Sequence, residues 1–143
     1  MTKVDFYISK QPRSGSRHMI ACRLVDKAYK LGHQIYVHAD NPQEAKMLDD
    51  LLWTFRDGSF IPHALASASS DDPVVVGFDT AANGCPATCN DVLINLALEV
   101  PCFFSRFDRV AEIVDQEEES RASARTRYRY YQDRGYPLNT HDL

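Results

Sequence analysis

Val74-Val75-Val76-Gly77-Phe78 and Asp91-Val92-Leu93-Ile94-Asn95-Leu96 are short runs in which apolar residues follow one another with little polar alternation. A strand with one wet face alternates; a strand covered on both faces does not. These two segments therefore read as the interior of a sheet sandwiched between other layers. Working outward, Val4-Asp5-Phe6-Tyr7-Ile8 is a first strand, closed by the turn cluster Ser9 to Gly15. Ser16 to Leu31 follows with Met19, Ile20, Leu24, Ala28 and Leu31 at helical spacing, and Gly32 stands where a helix end favours a left-handed residue. Gln34 to His38 is a second strand. Asn41 is placed to cap a helix with Pro42 in its first turn, running to about Trp53. Ser59 to His63 reads as a short extended piece and Ala66 to Asp72 as a loop. Phe103 to Val114 mixes aromatic and β-branched residues and reads as extended, ending in Val110-Ala111-Glu112-Ile113-Val114, with a helix as the alternative. Gln116 to Arg134 reads as a helix stopped by Gly135, and Tyr136 to Leu143 as a tail. Strands alternating with helices around apolar central strands predict a three-layer α/β/α fold with a mostly parallel open sheet. The 143 residues, without repeat or linker, predict a single domain over 1–143.

Composition narrows the class. Apolar residues make up 44% and charged residues 25%, which excludes a wholly disordered chain. A net charge of -4 argues against binding duplex DNA or anionic lipid through the overall field. No apolar run approaches the roughly 18 residues of a membrane span, and the first residues lack a secretory pattern. The four cysteines (Cys22, Cys85, Cys89, Cys102) read as reduced thiols, and the expected location is the cytoplasm.

The fold class invites a nucleotide, but neither Gly-x-Gly-x-x-Gly nor Gly-x-x-x-x-Gly-Lys-Ser/Thr occurs, and the turn after the first strand holds only Gly15. Cys85 and Cys89 would make half a zinc site, yet the histidines (18, 33, 38, 63 and 141) are scattered, and loop thiols are the simpler reading. Nucleophile elbows are also missing, and the acidic runs Asp49-Asp50 and Glu117-Glu118-Glu119 read as a solvated face rather than paired catalytic carboxylates. The expectation is a protein without catalytic residues, metal or cofactor.

The last helix carries the informative pattern. Glu117, Glu118 and Glu119 occupy its first turn, where the helix dipole favours acids. Five arginines against Asp133 then give residues 121–134 a net charge of +4, with Tyr128, Tyr130 and Tyr131 interleaved. Helical spacing assigns Ala124, Tyr128 and Tyr131 to a core stripe. Arg121, Arg125, Arg129 and Gln132 form the neighbouring stripe, with Tyr128 at the seam. Two readings fit: a solvated face with ion pairs such as Glu117 with Arg121, or a receptor for an acidic peptide or terminal carboxylate. The same surface suits single-stranded nucleic acid. Trp53 and Phe60 flank the turn Arg56-Asp57-Gly58-Ser59. A lone Trp is commonly core, but aromatics at a rim also anchor interfaces.

The chain resembles the chi subunit of bacterial DNA polymerase III (HolC) along its whole length. The resemblance rests on Val4-Asp5-Phe6-Tyr7 and on Leu48-Asp49-Asp50-Leu51-Leu52-Trp53 continuing to Ser59-Phe60-Ile61-Pro62-His63. It rests further on Asp91 to Leu96, and on Ala124 to Tyr131 leading to Gly135-Tyr136 and Leu138-Asn139-Thr140. It implies a non-catalytic accessory subunit in DNA replication, with a nucleotide-binding-like fold that lacks phosphate loops. It implies two partners: the psi subunit, and through it the clamp loader, and the acidic tail of single-stranded DNA-binding protein (SSB), so that DNA is met indirectly. By resemblance the tail-binding residues are Arg121, Arg125, Tyr128 and Arg129, with Gly135 nearby, and the psi-side residues are Trp53 and Phe60.

Overall fold

The computed structural model describes residues 2–9, 16–55, 60–66, 72–78 and 89–142. The turn holding Gly15, the Arg56–Ser59 turn, most of the Ala66–Asp72 loop and Cys85 lie outside the described residues. Among the described residues the strands are β1 (Lys3–Ile8), β2 (Ile35–His38), β3 (His63–Leu65), β4 (Val74–Gly77), β5 (Val92–Asn95), β6 (Arg109–Val114) and β7 (Leu138–Asp142). The helices are α1 (Ser16–Lys30), α2 (Pro42–Thr54) and α3 (Glu118–Asp133), with a 3-10 turn at Phe104–Arg106. The strands form one sheet in the order β3-β4-β2-β5-β6-β1-β7, every pairing parallel.

Period-2 alternation divides the core between the two faces of this sheet. Val37, Val76, Ile94, Leu96, Ala111 and Ile113 point to one side, where Ile20, Val25, Leu48 and Leu52 of α1 and α2 cover them. Val4, Phe6, Tyr36, Leu93, Val110 and Val114 point to the other, under α3 and the 3-10 turn, against Ala124, Tyr131, Phe104 and Phe107. The two valine- and leucine-rich runs are thus interior strands, as their lack of alternation predicts.

Local signals act where expected. Asn41 Oδ1 accepts the Glu44 N–H at 2.8 Å, while Glu44 Oε1 accepts the Asp40 N–H at 2.9 Å, so the start of α2 is satisfied from both directions. Gly32 adopts φ +87° just beyond α1. Gly135 adopts φ +77°; its N–H donates to the Gln132 carbonyl, and the Tyr136 N–H donates to that of Tyr131. That pair of bonds ends α3 in a Schellman turn.

The extended piece expected at Ser59–His63 leads into β3, which begins at His63 with its register running His63 to Val74. Two expectations need correction. The stretch after Phe103 is not extended throughout: it first makes the 3-10 turn, which buries Phe104. Residues 138–142 are not a tail but β7, added in parallel to β1 with Phe6 opposite Thr140. An edge strand with one neighbour and a mostly exposed pattern has little of its own to announce it in sequence.

Candidate functional site

α3 is fastened to the sheet by a buried polar cluster. Glu112 lies in the middle of β6 with its side chain fully buried on the α3 side. Its Oε1 receives the Arg127 Nε–H at 2.9 Å, its Oε2 receives the Tyr131 hydroxyl at 2.7 Å, and Asn95 Nδ2 donates to both oxygens. Arg127 also donates to Ser123 Oγ and to the Leu98 carbonyl, to which Ser123 Oγ itself donates. Burial pushes the Glu112 carboxyl up from the usual carboxylate range, opposed by Arg127, Tyr131 and Asn95. Burial, then the adjoining Glu112 carboxylate, pushes the Tyr131 phenol far up, so it stays a donor. Counting Arg127 with the surface charge of the last helix is therefore a misreading: it points inward and its charge is neutralised there. The sequence did hold a signal, since Glu112 and Asn95 each interrupt an apolar strand. A buried carboxylate requires a cation.

With Arg127, Ala124 and Tyr131 turned inward, helical spacing turns Arg121, Arg125 and Arg129 to solvent in successive turns, with Gln132 continuing the row. None of the three guanidinium groups is in an ion pair with a described residue. The Glu117–Arg121 pair is absent among the described residues; those two share only the backbone bond from the Arg121 N–H to the Glu117 carbonyl. Tyr128 is half-buried beside the row, with its ring 5.3 Å from that of Phe6. Arg134 does not join the row: it folds back over the Tyr130 ring at 3.5 Å, on the other flank of α3. Gly135 closes the helix, and a Cβ there would meet no atom within 4 Å, so its requirement is the left-handed turn rather than space.

Trp53 and Phe60 are not core. They are 49% and 70% exposed, with rings 5.6 Å apart, and they meet although α2 ends between them. Below them His63 is buried, its ring 4.3 Å from Trp53, with Nδ1 2.6 Å from the Ile61 carbonyl and Nε2 2.9 Å from the Asp49 carbonyl. The Ile61-Pro62-His63 segment is thereby tied to α2, and Phe60 stands beside Trp53.

Open α/β sheets usually take ligands beyond the carboxyl ends of their strands. Here that position is a cavity of about 210 Å³ lined by Arg17, Asp40, Glu44, Asp115, Glu117 and Glu119 among others. The Arg17 guanidinium donates to the Leu96 carbonyl at 2.6 Å and to Glu44 at 3.3 Å, and faces Asp115 at 3.8 Å. Burial pushes the Glu44 carboxyl up, but the His18 hydrogen bond, the Asp40 N–H and Arg17 outweigh it, so Glu44 is held below the usual range. The cation is spent on protein groups, and the surrounding field is acidic.

Cys22 and Cys89 are buried and Cys102 is exposed; burial pushes the Cys22 thiol up to about 12. Among the described residues no group of His, Cys, Asp and Glu is arranged to hold a metal. No helix there is long and apolar enough to cross a membrane.

Among solved structures, the chain is similar to T4 UvsW with a TM-score of 0.69, at 8% identity over 99% of this chain and 41% of that one, a likeness of fold alone. It is 42% identical to the DNA polymerase III subunit chi of Pseudomonas aeruginosa over 100% of this chain and 98% of that protein. It is 27% identical to the subunit of that name from Escherichia coli, over 85% and 82%. For the subunit from Haemophilus influenzae the identity is 25%, over 97% and 96%. Residues 1–139 match the family model described as "DNA polymerase III chi subunit, HolC". With that match spanning nearly every residue, on a parallel sheet whose usual ligand position is acidic, the chain belongs to the DNA polymerase III chi subunit family.

Proposed function

We propose that this chi-family chain is a non-catalytic adaptor of the replicative polymerase, with its two partner sites on separate surfaces. The acidic tail of SSB docks on α3, its carboxylates taken by Arg121, Arg125 and Arg129, and its apolar end against Tyr128 and the turn at Gly135. The psi subunit covers Trp53 and Phe60 and connects the chain to the clamp loader. The chain thus meets DNA through SSB. One observation carries this reading: a row of exposed arginines without ion-pair partners among the described residues, held outward because Arg127 in the same helix is anchored inward. Unpaired guanidinium groups keep their bidentate donors available for carboxylates. Trp53 and Phe60, an exposed aromatic pair, support the second site.

A nucleotide-dependent enzyme on this fold would need a phosphate at the strand carboxyl ends. There the field is acidic and Arg17 is already engaged, which supports the non-catalytic reading. Direct single-strand binding predicts that an oligonucleotide outcompetes the tail peptide. The deciding experiment is capture of intact SSB beside SSB lacking its final residues, each with the wild-type chain and with Arg125→Ala. Capture of both SSB forms alike, or capture indifferent to Arg125, would overturn the α3 site.

A further inference from the structure

The opposite face of the sheet carries a second, unassigned recess. Between α1 and strands β1, β5 and β6 lies a cleft of about 100 Å³. Its floor is apolar, formed by Leu24 and Ala28 of α1 with Ile94 and Ala111 of the sheet. Lys27 and Arg109 stand at its rim, both exposed. Leu31, 67% exposed just past the end of α1, adds an apolar lip.

The size restricts the occupant. An apolar cavity of about 150 Å³ accommodates a benzene molecule, so this cleft has room for one aliphatic side chain and not for a ring system with substituents. The charge restricts it further. Asp5 also lines the cleft, its carboxylate 3.0 Å from His141 Nε2, so the two cations outnumber one lining carboxylate. Asp91, outside the lining, accepts the Gln34 N–H at 3.0 Å. Lys27 and Arg109 have no ion-pair partner among the described residues. An apolar recess between two cations that outnumber the single lining carboxylate, Asp5, complements an aliphatic group flanked by carboxylates. A long polyanion such as a nucleic-acid strand is disfavoured, because Asp5, Asp26 and Asp91 interrupt the cationic surface on this face.

We propose that this cleft docks a short acidic peptide segment, one aliphatic side chain entering between α1 and the sheet and its neighbouring carboxylates meeting Lys27 and Arg109. The site is separate from the α3 row, since residues facing α1 and residues facing α3 alternate along β1 and β6. Its occupancy does not depend on the α3 assignment.

The test is NMR titration of the full chain with the blocked peptide acetyl-Asp-Leu-Asp-amide, beside acetyl-Lys-Leu-Lys-amide. The expected result is saturable shifts at Leu24, Leu31, Ile94 and Ala111 with the acidic peptide only. The double variant Lys27→Glu, Arg109→Glu should weaken it about tenfold, as reversing the charges of a complementary surface does, while Arg125→Ala leaves it unchanged. Both exchanged residues are exposed, so the amide spectrum away from the cleft should keep its wild-type dispersion. Absence of saturable shifts, equal response to the lysine peptide, shifts confined to α3, or indifference to the double variant would each overturn the proposal.

Discussion

Replacing Arg127 with methionine tests the anchor that turns the arginine row outward. The substitution keeps an unbranched apolar chain in the helix and removes the charge opposite Glu112. Glu112 then retains the Tyr131 and Asn95 hydrogen bonds but no cation, in a site from which solvent is excluded. Breaking a buried pair by deleting one partner typically costs about 3–5 kcal/mol. Against a total stability of about 5–15 kcal/mol for a domain, that is a large fraction. The cost should depend on pH in a defined sense. Burial already raises the Glu112 carboxyl, and losing Arg127 removes the largest opposing influence. A group whose folded pKa is raised favours the folded state at low pH, and that contribution is lost as pH climbs through the folded value. The variant should therefore be nearer to wild type at pH 5 than at pH 8. Urea unfolding at both pH values measures this, and Glu112→Gln together with Arg127→Met closes a double-mutant cycle. The double variant should be less damaged than the sum of its parts. A loss below about 1 kcal/mol at pH 8, where surface ion pairs fall, or a loss independent of pH, would refute the account of α3 anchoring.

The remaining expectations concern the surfaces. Arg125→Ala should weaken SSB-tail peptide binding by about 1.5–3 kcal/mol, the worth of hydrogen bonds to a charged group, and wild-type affinity should itself fall as salt rises; titration calorimetry reads both. Unchanged affinity would remove Arg125 from the site. Trp53→Ala or Phe60→Ala should impair psi binding and spare tail binding in the same assay, and equal loss of both would point to misfolding or a shared surface. Glu44, held below the usual carboxyl range by His18, the Asp40 N–H and Arg17, contributes stability above the unfolded carboxyl pKa. That contribution is lost as pH falls through the lower folded value. Glu44→Gln should accordingly flatten the acid side of the stability profile, and an unaltered profile would show that the Glu44 network is energetically idle.

Most elements were legible because their signals are local. Asn41-Pro42 and Gly32 act within a turn of where they sit, and the apolar runs of β4 and β5 need no partner to declare that both faces are covered. Helical spacing alone placed Arg121, Arg125 and Arg129 on one stripe and Tyr128 at its seam. The charge count, not the spacing, takes Arg127 with the surface run, since whether a guanidinium faces water or a buried carboxylate depends on Glu112 in another element. Sequence alone leaves Trp53 and Phe60 between core and rim, because their exposure is set by how the segment after α2 is tied back through His63.

By itself, the order of residues determined the layer architecture, the ends of the helices and the position of a cationic stripe, all consequences of short-range periodicity and backbone sterics. Only the tertiary structure decided that the chain's last stretch becomes an edge strand and that one arginine of α3 is neutralised inside. It alone also left an uncommitted cleft on the α1 face. Those outcomes rest on contacts between groups far apart in sequence, such as Phe6 opposite Thr140 and Glu112 against Arg127. Burial, by stripping water from a charge, makes the identity of the distant neighbour energetically decisive.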